Sequence, residues 1–303
     1  MQRTIGRMLD SFSTFEVLRD GVRLHGRIGG RGAPLLLIHG HPQTHAIWHR
    51  VAPALAERFA VVMFDLRGYG DSGRPPADAG HLNHSKREMA LDALAVMQHH
   101  GFGRFGVLAH DRGARVAHRL AADHPAAVDR MLLLDIAPTL GMYENTSETF
   151  ARAYWHWFFL IQPPPLPEAL IESDPVRYVR AVMGSRHAGL APFAPEAMAE
   201  YERCAAIPGT ARSLCEDYRA SAAIDLAHDR EDLAAGRRLQ QPVRVLWGEH
   251  GVVGRCFDVL ALWRERAEHV SGAALPCGHY IPEEAPRELL GEAQSFFIDI
   301  QED

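Results

Sequence analysis

The 303-residue sequence has little of what marks secreted, membrane-spanning or nucleic-acid-binding chains. Its four cysteines (Cys204, Cys215, Cys256 and Cys277) are scattered, without any CxxC spacing. That excludes a disulfide framework and leaves reduced thiols. No stretch approaches the ~18 consecutive apolar residues of a membrane helix. The opening segment MQRTIGRMLDSFS lacks the apolar centre of a signal peptide, so the expected location is the cytoplasm. A basic excess is missing too, since 32 Lys and Arg face 38 Asp and Glu for a net charge of −6. Nucleic acid and anionic membrane both call for a basic surface, so neither is an expected partner. An anionic small molecule would need a local cluster of positive charge. His39, His41, His45 and His49 include the i, i+4 spacings of metal ligands. No carboxylate or thiolate completes such a site, so no metal and no other cofactor is expected.

What is present is an alternation of strands and helices. Thr14 to Leu18 and Val22 to Ile28 predict a hairpin turning at Asp20-Gly21. Compact apolar runs of the buried parallel type follow at Leu35–Ile38, Ala60–Phe64, Phe105–Leu108, Met131–Leu134, Val243–Leu246 and Ala273–Leu275. Helical patterns fall between them at Lys86–His100, Gly113–Asp123, Cys256–Arg266 and Pro286–Phe297. The fold class is therefore α/β, with a mostly parallel, doubly wound sheet. The alternation stops between about Pro138 and Asp225, where Tyr154 to Phe159 is an aromatic run, Pro163 to Pro165 a breaker and Pro195 to Ala205 helix-like. An interval that long without strands predicts a helical cap over residues 138–225. The core then comprises 1–137 and 226–303. Ligands of such sheets lie beyond the carboxyl ends of the strands, which a cap would roof.

The chemistry centres on Val107-Leu108-Ala109-His110-Asp111-Arg112-Gly113-Ala114-Arg115. A strand runs into a helix between small residues, with a reactive type midway, as in the G-x-S-x-G elbow but with Asp in place of Ser. Alone, Asp111 reads equally well as a helix N-cap. Its company favours a nucleophile: Asp135 ends the next strand, and His279 lies between the last strand and the last helix. His39-Gly40 closes the first long strand, where backbone N–H groups form an oxyanion hole. A carboxylate needs no deprotonation before it displaces a leaving group from saturated carbon, and the product is an ester. His279, oriented by Asp135, then activates the water that cleaves it. The expected oxyanion donors are the N–H groups of His41 and Arg112, each worth roughly 3 kcal/mol in a well-built hole. Asp135 is preferred as the third member, with Glu249 a possible substitute after the strand at Val243.

The HDRGAR string, together with Trp155-His156-Trp157, Glu216-Asp217-Tyr218-Arg219-Ala220 and Gly278-His279, resembles the fluoroacetate and haloacetate dehalogenases of the α/β-hydrolase fold. The likeness runs from about Pro34 to Phe297. It implies hydrolytic removal of halide from a small 2-haloacid, giving the hydroxy acid. It further implies that Arg112 and Arg115 clamp the substrate carboxylate and that His156, Trp157 and Tyr218 form the halide pocket. Two arginines three apart share a helix face, and an anionic substrate meeting an anionic nucleophile needs that charge. Trp155 and Phe158 are expected to pack in the core, and His110 to order the elbow. A homodimer is implied by the family alone.

Two positions depart from the family pattern. His41 stands where Phe is usual, and Ser185-Arg186 where a cap Trp is usual, which makes Arg186 a candidate for specificity. The nearest rival activity is epoxide hydrolysis, which shares the Asp nucleophile but commonly has Trp directly after it and polarises the epoxide with cap tyrosines. A rival of another kind, a non-catalytic binding protein on the same scaffold, would be expected to lack a triad member.

Overall fold

The computed structural model describes residues 8–298, so residues 1–7 of the N-terminal segment behind the expected location lie outside the described residues. Strands β1 (Ser13–Arg19) and β2 (Val22–Gly29) form an antiparallel hairpin. It turns on Asp20 and Gly21, both at positive φ (47° and 76°), the backbone of a two-residue turn that Asp-Gly suits. Strands β3 (Ala33–Ile38), β4 (Phe59–Phe64) and β5 (Phe105–His110) are buried at every position. Continuous apolar runs are what parallel strands require when helices cover both faces. Strands β6 (Val128–Leu134), β7 (Val243–Gly248) and β8 (Val270–Leu275) complete one eight-stranded sheet of order β1-β2-β4-β3-β5-β6-β7-β8. From β4 onward, every neighbouring pair is parallel.

The order reverses at β3. The chain leaves β3 for β4 on one side and returns to place β5 on the other, with Ile38 opposite Ala109. The loops leaving β3 and β5 thus diverge over one crevice, the usual place for a ligand. The helix Arg112–Asp123 follows β5 directly, and Lys86–His99 packs beside it.

Between β6 and β7 lie only helices, from Thr139 to Ala234. The last of these, Ile224–Ala234, passes through the boundary expected at 225. The helix expected over Cys256–Arg266 is two short ones, Val252–Cys256 and Val259–Arg264. Asp258 breaks it by accepting the Ala261 N–H (3.0 Å), an N-cap that restarts the helix. Trp155, expected in the core, is 38% exposed, because the run turns its neighbours His156 and Trp157 inward instead. Phe158 is half-buried against the core. Among the described residues, no helix is long and apolar enough to cross a membrane.

Candidate active site

Asp111 stands between β5 and the helix Arg112–Asp123 at φ 48°, ψ −114°, a left-handed backbone that is strained for a residue with a side chain. The turn requires bare backbone around it. A Cβ on Gly113 would strike the carbonyls of Ile38 and His39, and one on Gly40 would lie 2.6 Å from Asp111 Cβ. Asp111 makes no cap bond to the helix that it precedes. Its Oδ1 instead accepts the His41 N–H (2.9 Å), which arrives from the end of β3 across the switch point. Oδ2 faces His279 Nε2 at 4.0 Å. Burial opposes ionisation of Asp111, but His279, His110, Arg112 and the His41 N–H together hold its carboxyl below the usual range. It is charged at neutral pH.

The second carboxylate comes from the next strand. Asp135 ends β6, also at positive φ (47°), with its N–H on the Leu246 carbonyl (2.7 Å). Its Oδ1 accepts the Gly248 N–H (2.9 Å), and its Oδ2 lies 2.6 Å from His279 Nδ1. An ionised carboxylate there makes Nδ1 the donor and leaves the Nε2 lone pair turned toward Asp111. Glu249 is exposed. His110 Nε2–H donates to the His279 carbonyl (2.9 Å), tying the histidine loop to the elbow. Burial lowers the His110 pKa to about 3 and keeps it neutral.

Arg112 and Arg115 both rise from the elbow helix toward the cap, but their guanidiniums end in different company. Arg112 is fully buried, with Nε and Nη2 on the Asp217 carboxylate (3.0 and 2.8 Å) and Nη2 also on Ser221 Oγ (2.6 Å). Only its Nη1 is buried without a protein partner. Arg115 makes no ion pair among the described residues. Its Nη1 reaches Thr139 Oγ1 (2.5 Å) and its Nη2 the Met142 sulfur (3.2 Å), while Nε has no partner. Burial, reinforced by the charge of Arg112, brings the Arg115 pKa down to about 10. The geometry therefore corrects the picture of two open forks: one is filled by Asp217, and each arginine leaves a single unpartnered nitrogen.

Over the arginines sit aromatic rings. Tyr218 lies 4.0 Å from the Arg112 guanidinium carbon and Trp157 4.7 Å from that of Arg115. Tyr218 Oη and Trp157 Nε1 are both buried and unpartnered. His156 is buried beside them, its ring centroid 5.8 Å from that of Tyr218. Native proteins rarely leave such donors idle, so a cluster of them marks a place for an acceptor. His41 stacks on His156 (5.7 Å, 8°) and its Nε2 meets the Tyr178 hydroxyl (3.2 Å). Burial lowers the His41 pKa to about 3, so this departure from the family adds a neutral ring and no charge. Arg186 lies over the Tyr154 ring (4.3 Å) and lines a cavity of about 260 Å³ that reaches His279.

The remaining histidines near β3 are engaged elsewhere. His39 bridges Gly40 O and the Leu66 N–H (both 3.0 Å), His45 meets Asp65 (2.7 Å) and His49 the Ala46 carbonyl (3.0 Å).

Several residues escaped the sequence reading. Asp217 is the hub under Arg112: it also holds Lys86 and the Tyr69 hydroxyl (2.6 Å), and the charges of Arg112 and Lys86 keep its carboxyl well below the usual range despite its burial. A signal was there, because Lys86 is the only lysine in the sequence. Three more cap tyrosines surround the site. Tyr143 Oη is buried and unpartnered, Tyr154 Oη lies 3.4 Å from His279 Nδ1, and Tyr178 meets His41. No local motif distinguishes them from packing aromatics.

Comparison with known proteins agrees with this architecture. Residues 33–286 match a family model described as the alpha/beta hydrolase fold. A fluoroacetate dehalogenase of Burkholderia sp. is 40% identical, over 95% of this chain and 97% of its own. A soluble epoxide hydrolase of Corynebacterium sp. (strain C12) is 36% identical, over 94% and 97%. Among solved structures, ALR0039 of Nostoc sp. PCC 7120 superposes with a TM-score of 0.93 at 52% identity, covering 96% of this chain and 99% of that one. The epoxide hydrolase CorEH gives 0.86 at 34% identity, covering 96% and 100%. The chain belongs to the α/β-hydrolase fold family and is a hydrolase of that fold.

Proposed function

We propose that this hydrolase removes halide from a small 2-haloacid by way of an ester on Asp111. The carrying observation is the buried Arg115, without an ion pair among the described residues, beside the unpartnered Arg112 Nη1. A buried cation without a counter-ion is costly, and a substrate carboxylate relieves that cost through charge-assisted hydrogen bonds. A neutral substrate does not.

Asp111 Oδ2 attacks the halogen-bearing carbon, forming a C–O bond as the C–X electron pair departs on halide. Trp157 Nε1–H, the Tyr218 hydroxyl and His156 are the donors that replace the halide's water shell. Oδ1, held by the His41 N–H, takes no part in this displacement. Water then loses a proton to His279 Nε2 and adds to the Asp111 carbonyl carbon. The negative charge gathers on Oδ1, where the His41 N–H already points. Collapse returns the carboxylate and releases the alkoxide, which takes the proton from His279. The balance is haloacid plus water to hydroxy acid, halide and a proton. Asp135 steadies the imidazolium throughout. The same elbow serves both chemical steps, and the enclosing cap limits competing water.

A second reading is favoured by the tyrosines. Tyr143 and Tyr218 each carry a buried, unpartnered hydroxyl that could polarise an epoxide oxygen, and one close relative is an epoxide hydrolase. The deciding measurement is halide release from fluoro-, chloro- and bromoacetate, run beside styrene oxide hydrolysis, with Asp111→Asn as control. Halide release that falls by about 10⁴-fold or more in the variant is expected. Epoxide turnover without any halide release would overturn the dehalogenase reading.

A further inference from the structure

Arg186 and the cavity beside it are not used by the mechanism above. The cavity, of about 260 Å³, is lined by Tyr154, Arg186, His187, His250, Arg255 and His279 among others, and no carboxylate stands in its wall. Neither Arg186 nor Arg255 makes an ion pair among the described residues, whereas Arg67, Arg112, Arg119 and Arg219 each hold a carboxylate. Arg186 donates from Nη1 to the Ala153 carbonyl (3.1 Å) and interacts with the Tyr280 hydroxyl, neither of which carries a compensating charge, and its Nε is buried without a partner. The Tyr154 face beneath it offsets part of the charge. His187 and His250, both exposed, meet with tilted rings (centroids 4.4 Å apart, 31°). Arg186 is also near enough for its charge to act on Asp111 and His156, so the cavity and the elbow form one electrostatic neighbourhood.

We infer that this cavity is a second anion subsite, in which Arg186, supported by Arg255, takes the distal acidic group of a haloacid carrying two. The inference rests on the haloacid reading and names the substrate class preferred over haloacetates: 2-halo dicarboxylates. A monocarboxylate seated at Arg112 and Arg115 leaves Arg186 unneutralised. A second carboxylate on the same carbon skeleton pairs with it from the side of His279, the residue that the cavity shares with the triad. Local positive charge of this kind is what a chain of net charge −6 needs in order to admit a dianion.

The test is calorimetric binding of unhalogenated probes at fixed ionic strength: propionate against succinate, and butyrate against glutarate. At least one diacid is expected to bind about tenfold or more tighter than its monoacid, the size of a charge-assisted contact. That advantage is expected to shrink to about threefold or less in Arg186→Gln and to persist in Arg186→Lys. Arg255→Gln, at an exposed position, is expected to reduce it partially and serves if the Arg186 variant does not fold. Diacids that bind no better than monoacids, or an advantage untouched by Arg186→Gln, would overturn the subsite. An arginine that merely props Tyr154 would change monoacid and diacid binding alike, which also counts against it. Binding needs no turnover, so chloride release from chloroacetate reports separately on the dehalogenase reading.

Discussion

On the sheet side of the site, the two carboxylates and the histidine loop are held by hydrogen bonds within the core. Asp111 Oδ1 is on the His41 N–H, Asp135 Oδ1 is on the Gly248 N–H, and the His279 carbonyl is on His110. On the cap side, Trp157 Nε1, Tyr218 Oη and Tyr143 Oη are buried and hold nothing. Strand ends are rigid and shared by many chemistries, so they suit groups whose placement must not vary. Idle donors are costly to keep without a ligand, and their placement on the cap points to selection of what is bound rather than to bond breaking.

Breaking the sheet side should have the larger effect. His279→Gln removes the base for the second step and leaves the first intact. Steady turnover should fall by roughly 10³-fold, and mass spectrometry after incubation with chloroacetate should find the acid joined to Asp111. A folded variant that binds propionate yet never gains that adduct would detach His279 from ester hydrolysis. Where the core reaches toward the cap, Arg115→Gln should lower kcat/KM for haloacids by about 10²-fold, the loss of a charge-assisted contact. The pH profile sharpens the point. The Arg115 pKa of about 10 means that the cation persists below that pH and is lost above it. KM of the native enzyme should therefore climb above pH 10, and the climb should be absent in the variant.

The smallest effect concerns the seam between the two regions. The cap's Tyr201 hydroxyl donates to Glu283 Oε1 (2.5 Å), on the core side. Burial raises the Glu283 pKa from 4.5 to about 8. Between those values the folded chain holds a proton that the unfolded chain has released, so this group lowers stability progressively as pH rises from 4.5 through 8. Glu283→Gln should flatten the decline in melting temperature between pH 6 and 9 by roughly a few degrees. An unchanged slope would place that pH dependence elsewhere.

The sheet was legible because buried parallel strands write themselves as apolar runs, and Asp111 and Asp135 fall directly at their ends, with His279 in the loop after the last one. The hairpin turn was legible from Asp20-Gly21 for the same local reason. The helical insertion between β6 and β7 was legible only as an absence of strands. Its inner surface depends on how several helices meet, so Trp155 turned outward where packing was expected, and Tyr143, Tyr154 and Tyr178 gave no warning. Arg112 illustrates the limit. Its spacing from Arg115 was readable, but the carboxylate that occupies it is 105 residues away in the chain.

That carboxylate has a further consequence, for traffic. Asp217 belongs to the cap helix Thr210–Ala222, yet it is gripped by Arg112, Lys86 and Tyr69 of the core. Lifting the cap like a lid would part these buried charges and break the hydrogen bonds that join them. The two layers are thus riveted together. Acids entering and halide leaving are expected to pass through side openings, and turnover should follow the width of those openings more than the stiffness of any hinge.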